Sequence, residues 1–92
     1  MRITVHYMAQ VKHAAGRAVE QIELDRSCTV QELVIQLAEG GAEPLRRLLL
    51  GDRGALQTAL LLFVGDKQVS AGQTMPLHDG DVVTVLSPMA GG

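Results

Sequence analysis

The spacing of apolar residues changes twice along this chain, and the order of those changes restricts the fold more than any single motif. From Arg2 to Met8 the spacing is two: Ile3, Val5 and Tyr7 fall on one side, with Arg2, Thr4 and His6 on the other. That is the pattern of a half-buried strand. Gly16 marks a turn, and Val19 to Leu24 reads as a second strand with Ile22 and Leu24 inward. A short link between the two makes an antiparallel hairpin. The spacing then lengthens. Thr29 followed by Glu32 forms a capping box, in which hydroxyl and carboxylate each accept from free N–H groups at a helix start. Val30, Leu33, Val34 and Leu37 recur at helical spacing behind it, until Gly40-Gly41 stops the run. Pro44 suits the first turn of a second short helix, with Leu45, Leu48 and Leu49 as its apolar face. Gly51 to Gly54 reads as loop.

Spacing two returns in the last third. Ala59 to Val64 is apolar at every position, so as a strand it is greasy on both faces. Gly65-Asp66 is a turn signal and Lys67 to Val69 a short return strand. Leu77 to Asp81 is a polar turn, Val82 to Leu86 a last strand, and Pro88 its end, because proline offers the ladder no N–H. The expected fold is therefore α+β, with a mixed four- to five-stranded sheet, one main helix and a short second helix. One helical layer covers one side of the sheet only. If Leu61, Phe63, Val83 and Val85 face the helix, Leu60, Leu62 and Leu86 lie on the uncovered side. Apolar patches there mark a partner-binding surface. Met8 extends it, methionine being adaptable to varied surfaces.

Composition removes several classes of function. The 92 residues make one domain, and Tyr7 and Phe63 are its only aromatic side chains, so the core is aliphatic. With 8 Lys+Arg against 10 Asp+Glu, the net charge of −2 gives no footprint for nucleic acid. Stacking platforms for single strands are missing as well. Cys28 stands alone, so no internal disulfide or thiolate metal cluster forms, in keeping with a reducing, cytoplasmic setting. Its place near a helix start is one that can lower a thiol pKa. His6, His13 and His78 lack ligand spacing, so no metal is expected. The apolar run from Ala59 to Val64 is far too short to span a bilayer, and Met1 to His6 is no signal peptide. Arg46, Arg47 and Arg53 offer an acidic partner a basic surface, or form a solvated helix face. No nucleophile–base pair and no phosphate loop is present, so no catalytic residue is assigned.

The strand order, the Leu77–Asp81 turn and the ending Pro88-Met89-Ala90-Gly91-Gly92 together resemble the β-grasp, ubiquitin-like sulfur-carrier family. The resemblance spans the whole chain. Tyr7 to Lys12 is similar to the segment that closes the first strand in molybdopterin synthase small subunits. Residues 44–58 form an insertion similar to that of the molybdopterin and cysteine-synthesis branches, longer than in thiamine carriers. Ser87-Pro88 stands where members commonly carry Pro-Pro. The resemblance implies a β-grasp domain over residues 1–87 and a flexible Gly-Gly tail over residues 88–92. It also implies that Gly92 is the reactive residue: a ubiquitin-activating-like enzyme adenylates its carboxylate with ATP and exchanges AMP for sulfur, giving a thiocarboxylate. Gly91, Ala90, Met89 and Pro88 would form the arm that enters a larger partner such as the molybdopterin synthase large subunit. Glycines suit that arm because they lack Cβ and pass narrow channels. The chain itself would bind no cofactor. Carriers for cysteine or another thio-metabolite, protein modifiers that join lysines, and a plain β-grasp interaction module are the rival readings.

Overall fold

The structure, a computed structural model, describes residues 1–51, 54–70 and 73–87. Among these residues five strands form one sheet in the order β2-β1-β5-β3-β4: β1 Arg2–Met8, β2 Val19–Glu23, β3 Leu61–Val64, β4 Lys67–Val69 and β5 Val82–Ser87. The first and last strands lie side by side and parallel in the middle, with antiparallel neighbours outside them. Among the described residues three helices accompany the sheet: α1 Ala9–Ala15, α2 Val30–Gly40 and α3 Glu43–Leu49. The α+β expectation holds, with five strands and one helix more than the sequence pattern predicts.

The main helix starts where its capping box lies. Glu32 N–H donates to Thr29 Oγ1 at 3.1 Å, and Thr29 N–H donates to Glu32 Oε1 at 2.8 Å. Val30, Leu33, Val34 and Ala38 are its buried residues. They join Ile3, Val5, Tyr7, Leu62, Val69, Val83 and Val85 in a single core. The short helix α3 carries Pro44 in its first turn and buries Leu45 and Leu49 in the same core.

The extra helix is α1, in the link that the sequence pattern presents as a short turn. Val11 is buried, and Ala14 and Ala15 pack against the core. Those positions have helical spacing, but two small alanines carry little apolar signal. Gly16 ends this helix with φ +77, a conformation glycine adopts without the Cβ penalty, and its N–H donates to Lys12 C=O at 3.0 Å.

The polar turn at residues 77–81 fastens the centre of the sheet. Arg2 N–H donates to Asp79 Oδ1 at 2.7 Å, and Gly80 N–H to Arg2 C=O at 2.8 Å. Thr4 N–H donates to Asp81 C=O at 3.1 Å. The turn thus sets where β5 begins alongside β1.

Candidate functional site

Opposite residues of paired strands share a face. Leu62 pairs with Val85 and Val64 with Val83, whereas Phe63 pairs with Thr84 and Leu61 with Leu86. Leu62, Val83 and Val85 are fully buried. The helices therefore cover the Leu62 side, and the other side of β3 carries Leu61 and Phe63.

This corrects two residues of the expected partner-binding surface. Leu62 lies in the core at 0% exposure, and Leu60, just before β3, is also buried. The expected grouping of Leu61 and Phe63 with Val83 and Val85 is out by one residue, and such a slip inverts every side chain of a strand. A strand apolar at every position gives no alternation with which to detect it.

Leu86 and Met8 do lie on the open face. Met8 pairs with Leu86 across the parallel strands, and Leu86 with Leu61, so the three form one apolar row across β1, β5 and β3. Met8 is 48% exposed, while Leu61 and Leu86 are half-buried. The adjacent row holds Phe63, Thr84, His6 and Val19, and Val82 lies beyond it beside Thr4. Val19 and Val82 are exposed as well. Apolar side chains thus recur along this face, interrupted by His6 and Thr84, and are densest in the row next to Ser87, the last residue of β5.

Ser87 bridges Ala9 at the far end of β1. Ala9 has φ +54, an uncommon conformation for a residue with a Cβ, at the point where β1 turns into α1. The chain beyond Ser87, with the expected tail Pro88, Met89, Ala90, Gly91 and Gly92, lies outside the described residues.

Tyr7 donates its hydroxyl to Glu20 Oε1 at 2.7 Å, and Arg17 lies 3.7 Å from the other oxygen of the same carboxylate. Burial first, then the Glu20 hydrogen bond and charge, push the phenol well above its ordinary range, so Tyr7 stays neutral. Cys28 is half-buried at the edge of a cleft beside α2. Burial, then the Glu32 charge, raise its thiol pKa, opposite to the lowering that a helix start alone would give. Among the described residues no group of three or more His, Cys, Asp or Glu could hold a metal ion, and no helix is long and apolar enough to cross a membrane.

A model of the ThiS family matches residues 5–92. Among curated proteins none matches the chain. Several solved structures share its fold. Small archaeal modifier protein 1 (SAMP1) of Haloferax volcanii aligns with a TM-score of 0.82 at 20% identity, covering 100% of both chains. A protein assigned as molybdopterin converting factor subunit 1 in Pyrococcus furiosus aligns at 0.71 and 25% identity, covering 97% of this chain and 99% of its own. A chain of the BexX/CysO complex from Amycolatopsis orientalis aligns at 0.62 and 26% identity, covering 98% of this chain and 99% of its own.

Proposed function

The chain belongs to the ThiS family of ubiquitin-like carriers, and on that premise we propose that it carries sulfur as a thiocarboxylate at Gly92. Proteins of this family are small carriers and not catalysts, so the chemistry falls to partners. The observation that carries the reading is the extent of the family match, which runs through Gly91 and Gly92.

A carboxylate has no adequate leaving group, and activation supplies one. The Gly92 carboxylate oxygen attacks the α-phosphorus of ATP on a ubiquitin-activating-like enzyme, and pyrophosphate departs. A persulfide sulfur then attacks the acyl carbon and AMP leaves; a thiol cleaves the resulting acyl disulfide, and the thiocarboxylate remains. It is a soft anionic nucleophile and needs no base from this chain.

The fold supports delivery. β5 lies in the middle of the sheet and ends at Ser87 beside the Leu61–Leu86–Met8 row. A partner that grips this row holds the body of the carrier while residues 88–92 reach its active site. Phe63 and Val82 widen the grip.

The acceptor we favour is a molybdopterin synthase large subunit, because at nearly equal identity the Pyrococcus protein assigned as a molybdopterin converting factor subunit aligns better in structure, with a TM-score of 0.71 against 0.62. The 26% identity to a chain of the BexX/CysO complex supports a second reading, a carrier for another thio-metabolite. Activation is tested by ATP–pyrophosphate exchange with a candidate activating enzyme. Exchange should depend on this chain and vanish when Gly91 and Gly92 are deleted; exchange undiminished by the deletion would contradict activation at the tail. The thiocarboxylated protein, offered to the large subunit with its pterin substrate, then separates the acceptors.

A further inference from the structure

Lys12 and His13 lie in the last turn of α1, and Arg46 and Arg47 in the last turn of α3. The negative ends of the two helix dipoles favour cations there. The dipoles explain the sign of each charge but not their assembly. α1 and α3 pack against each other, which brings His13 and Arg47, distant in sequence, to one groove on a chain whose net charge is −2. The four basic side chains are all exposed, and none forms an ion pair with a described carboxylate. Among the described residues, Glu43 is the one acidic residue lining the recess that holds Arg46 and Arg47.

Between the two helices runs an open groove of about 410 Å³, lined by Gln10, His13, Ala14, Pro44, Arg47 and Leu48. Ala14, Pro44 and Leu48 give it an apolar part, and His13 and Arg47 a basic rim. α1 begins at Ala9, which bridges Ser87, so the groove lies on the element next to the point where β5 ends.

We propose that this groove is a second docking site, for an acidic segment of a partner protein that presents an apolar side chain flanked by carboxylates. The apolar side chain seats against Ala14, Pro44 and Leu48. The carboxylates meet Arg47, whose planar fork pairs with carboxylates bidentately, and Arg46 adds charge from the adjoining recess that Arg47 also lines. Nucleic acid suits the groove less well, since no aromatic side chain lines it for stacking and the chain as a whole is acidic. Charge complementarity at such a flank raises the rate of encounter and orients the partner toward the end of β5. The site stands apart from the sheet face, and its binding does not depend on any modification of Gly92.

The test uses the full chain, isotopically labelled, titrated with a synthetic peptide that carries one leucine between pairs of glutamates. Amide shifts should concentrate in α1 and α3, around His13, Ala14 and Leu48. Arg46→Ala combined with Arg47→Ala, both at exposed positions, should weaken binding by at least about fivefold. Lys67→Ala removes one charge at the β3–β4 hairpin and should leave binding unchanged. Replacing the peptide leucine by serine should also weaken it, because the apolar part of the groove would then be unfilled. Shifts centred on the Leu61–Leu86–Met8 row, affinity indifferent to the arginines, or displacement of the peptide by a single-stranded RNA of equal length would each overturn the proposal.

Discussion

Leu62 and Phe63 are neighbours in one strand, yet Leu62 is sealed in the core and Phe63 is half exposed on the opposite side. The same division runs through β1, where Tyr7 is buried and Met8 is 48% exposed, and through β5, where Val85 is buried and Leu86 half-buried. One side of the sheet is packed by helices into an aliphatic interior. The other keeps apolar side chains at its surface, in a row that runs up to the end of β5. Hydrophobicity alone does not distinguish the two: leucines occupy both. The difference lies in pairing register, and it teaches that exposed leucines on a small protein become informative only once the covered side is known.

The sharpest way to break this comparison is to truncate one residue from each side. Leu62→Ala should destabilise by about 3–5 kcal/mol, since a fully buried leucine leaves both lost transfer energy and a cavity. Denaturant unfolding measures it, and a loss below about 1 kcal/mol would place Leu62 outside the core. Phe63→Glu should change stability by no more than about 1 kcal/mol while weakening partner binding by roughly tenfold or more. Calorimetry with the activating enzyme or the acceptor subunit checks the second half, and unaltered affinity would remove Phe63 from the docking surface. Thr29→Ala loosens the helix that covers the buried side, and about 1 kcal/mol should go with the cap. The smallest effect concerns pH. The neutral Tyr7 phenol is favoured in the folded state, so its contribution is intact below the unfolded value near 10 and declines as pH rises beyond it. Unfolding curves above that pH should show the decline in the parent chain and a flatter profile in Tyr7→Phe.

The capping residues Thr29 and Glu32 and the run Val30, Leu33, Val34 make α2 legible in the sequence, because local hydrogen bonding and helical spacing agree there. The strands β1, β2, β4 and β5 are legible from alternation and their turns. α1 is not, since Val11 is its only large apolar residue and Ala14-Ala15 carry almost no contrast. Which side of β3 faces inward is beyond the sequence too: Leu61, Leu62 and Phe63 are equivalent until the pairing of Leu62 with Val85 separates them. Of the expected docking surface, Met8 and Leu86 therefore keep their place on the open face, while Leu60 and Leu62 belong to the interior. The bracing of Arg2 and Thr4 by Asp79, Gly80 and Asp81 is likewise invisible in the sequence, because a polar turn looks the same whether it fastens a strand or merely connects two. The reading of the Gly91–Gly92 pair rests on chemistry and resemblance and not on packing, and the pair lies outside the described residues.

The central claim is that Gly92 carries the sulfur. The intact mass of this protein, co-expressed with a candidate activating enzyme and a sulfur source, tests it most directly. A gain equal to one oxygen replaced by one sulfur, absent when Gly92 is deleted, is the result the account predicts. An unchanged mass in the presence of an enzyme that demonstrably adenylates the chain, or a gain that survives deletion of Gly92, would contradict it.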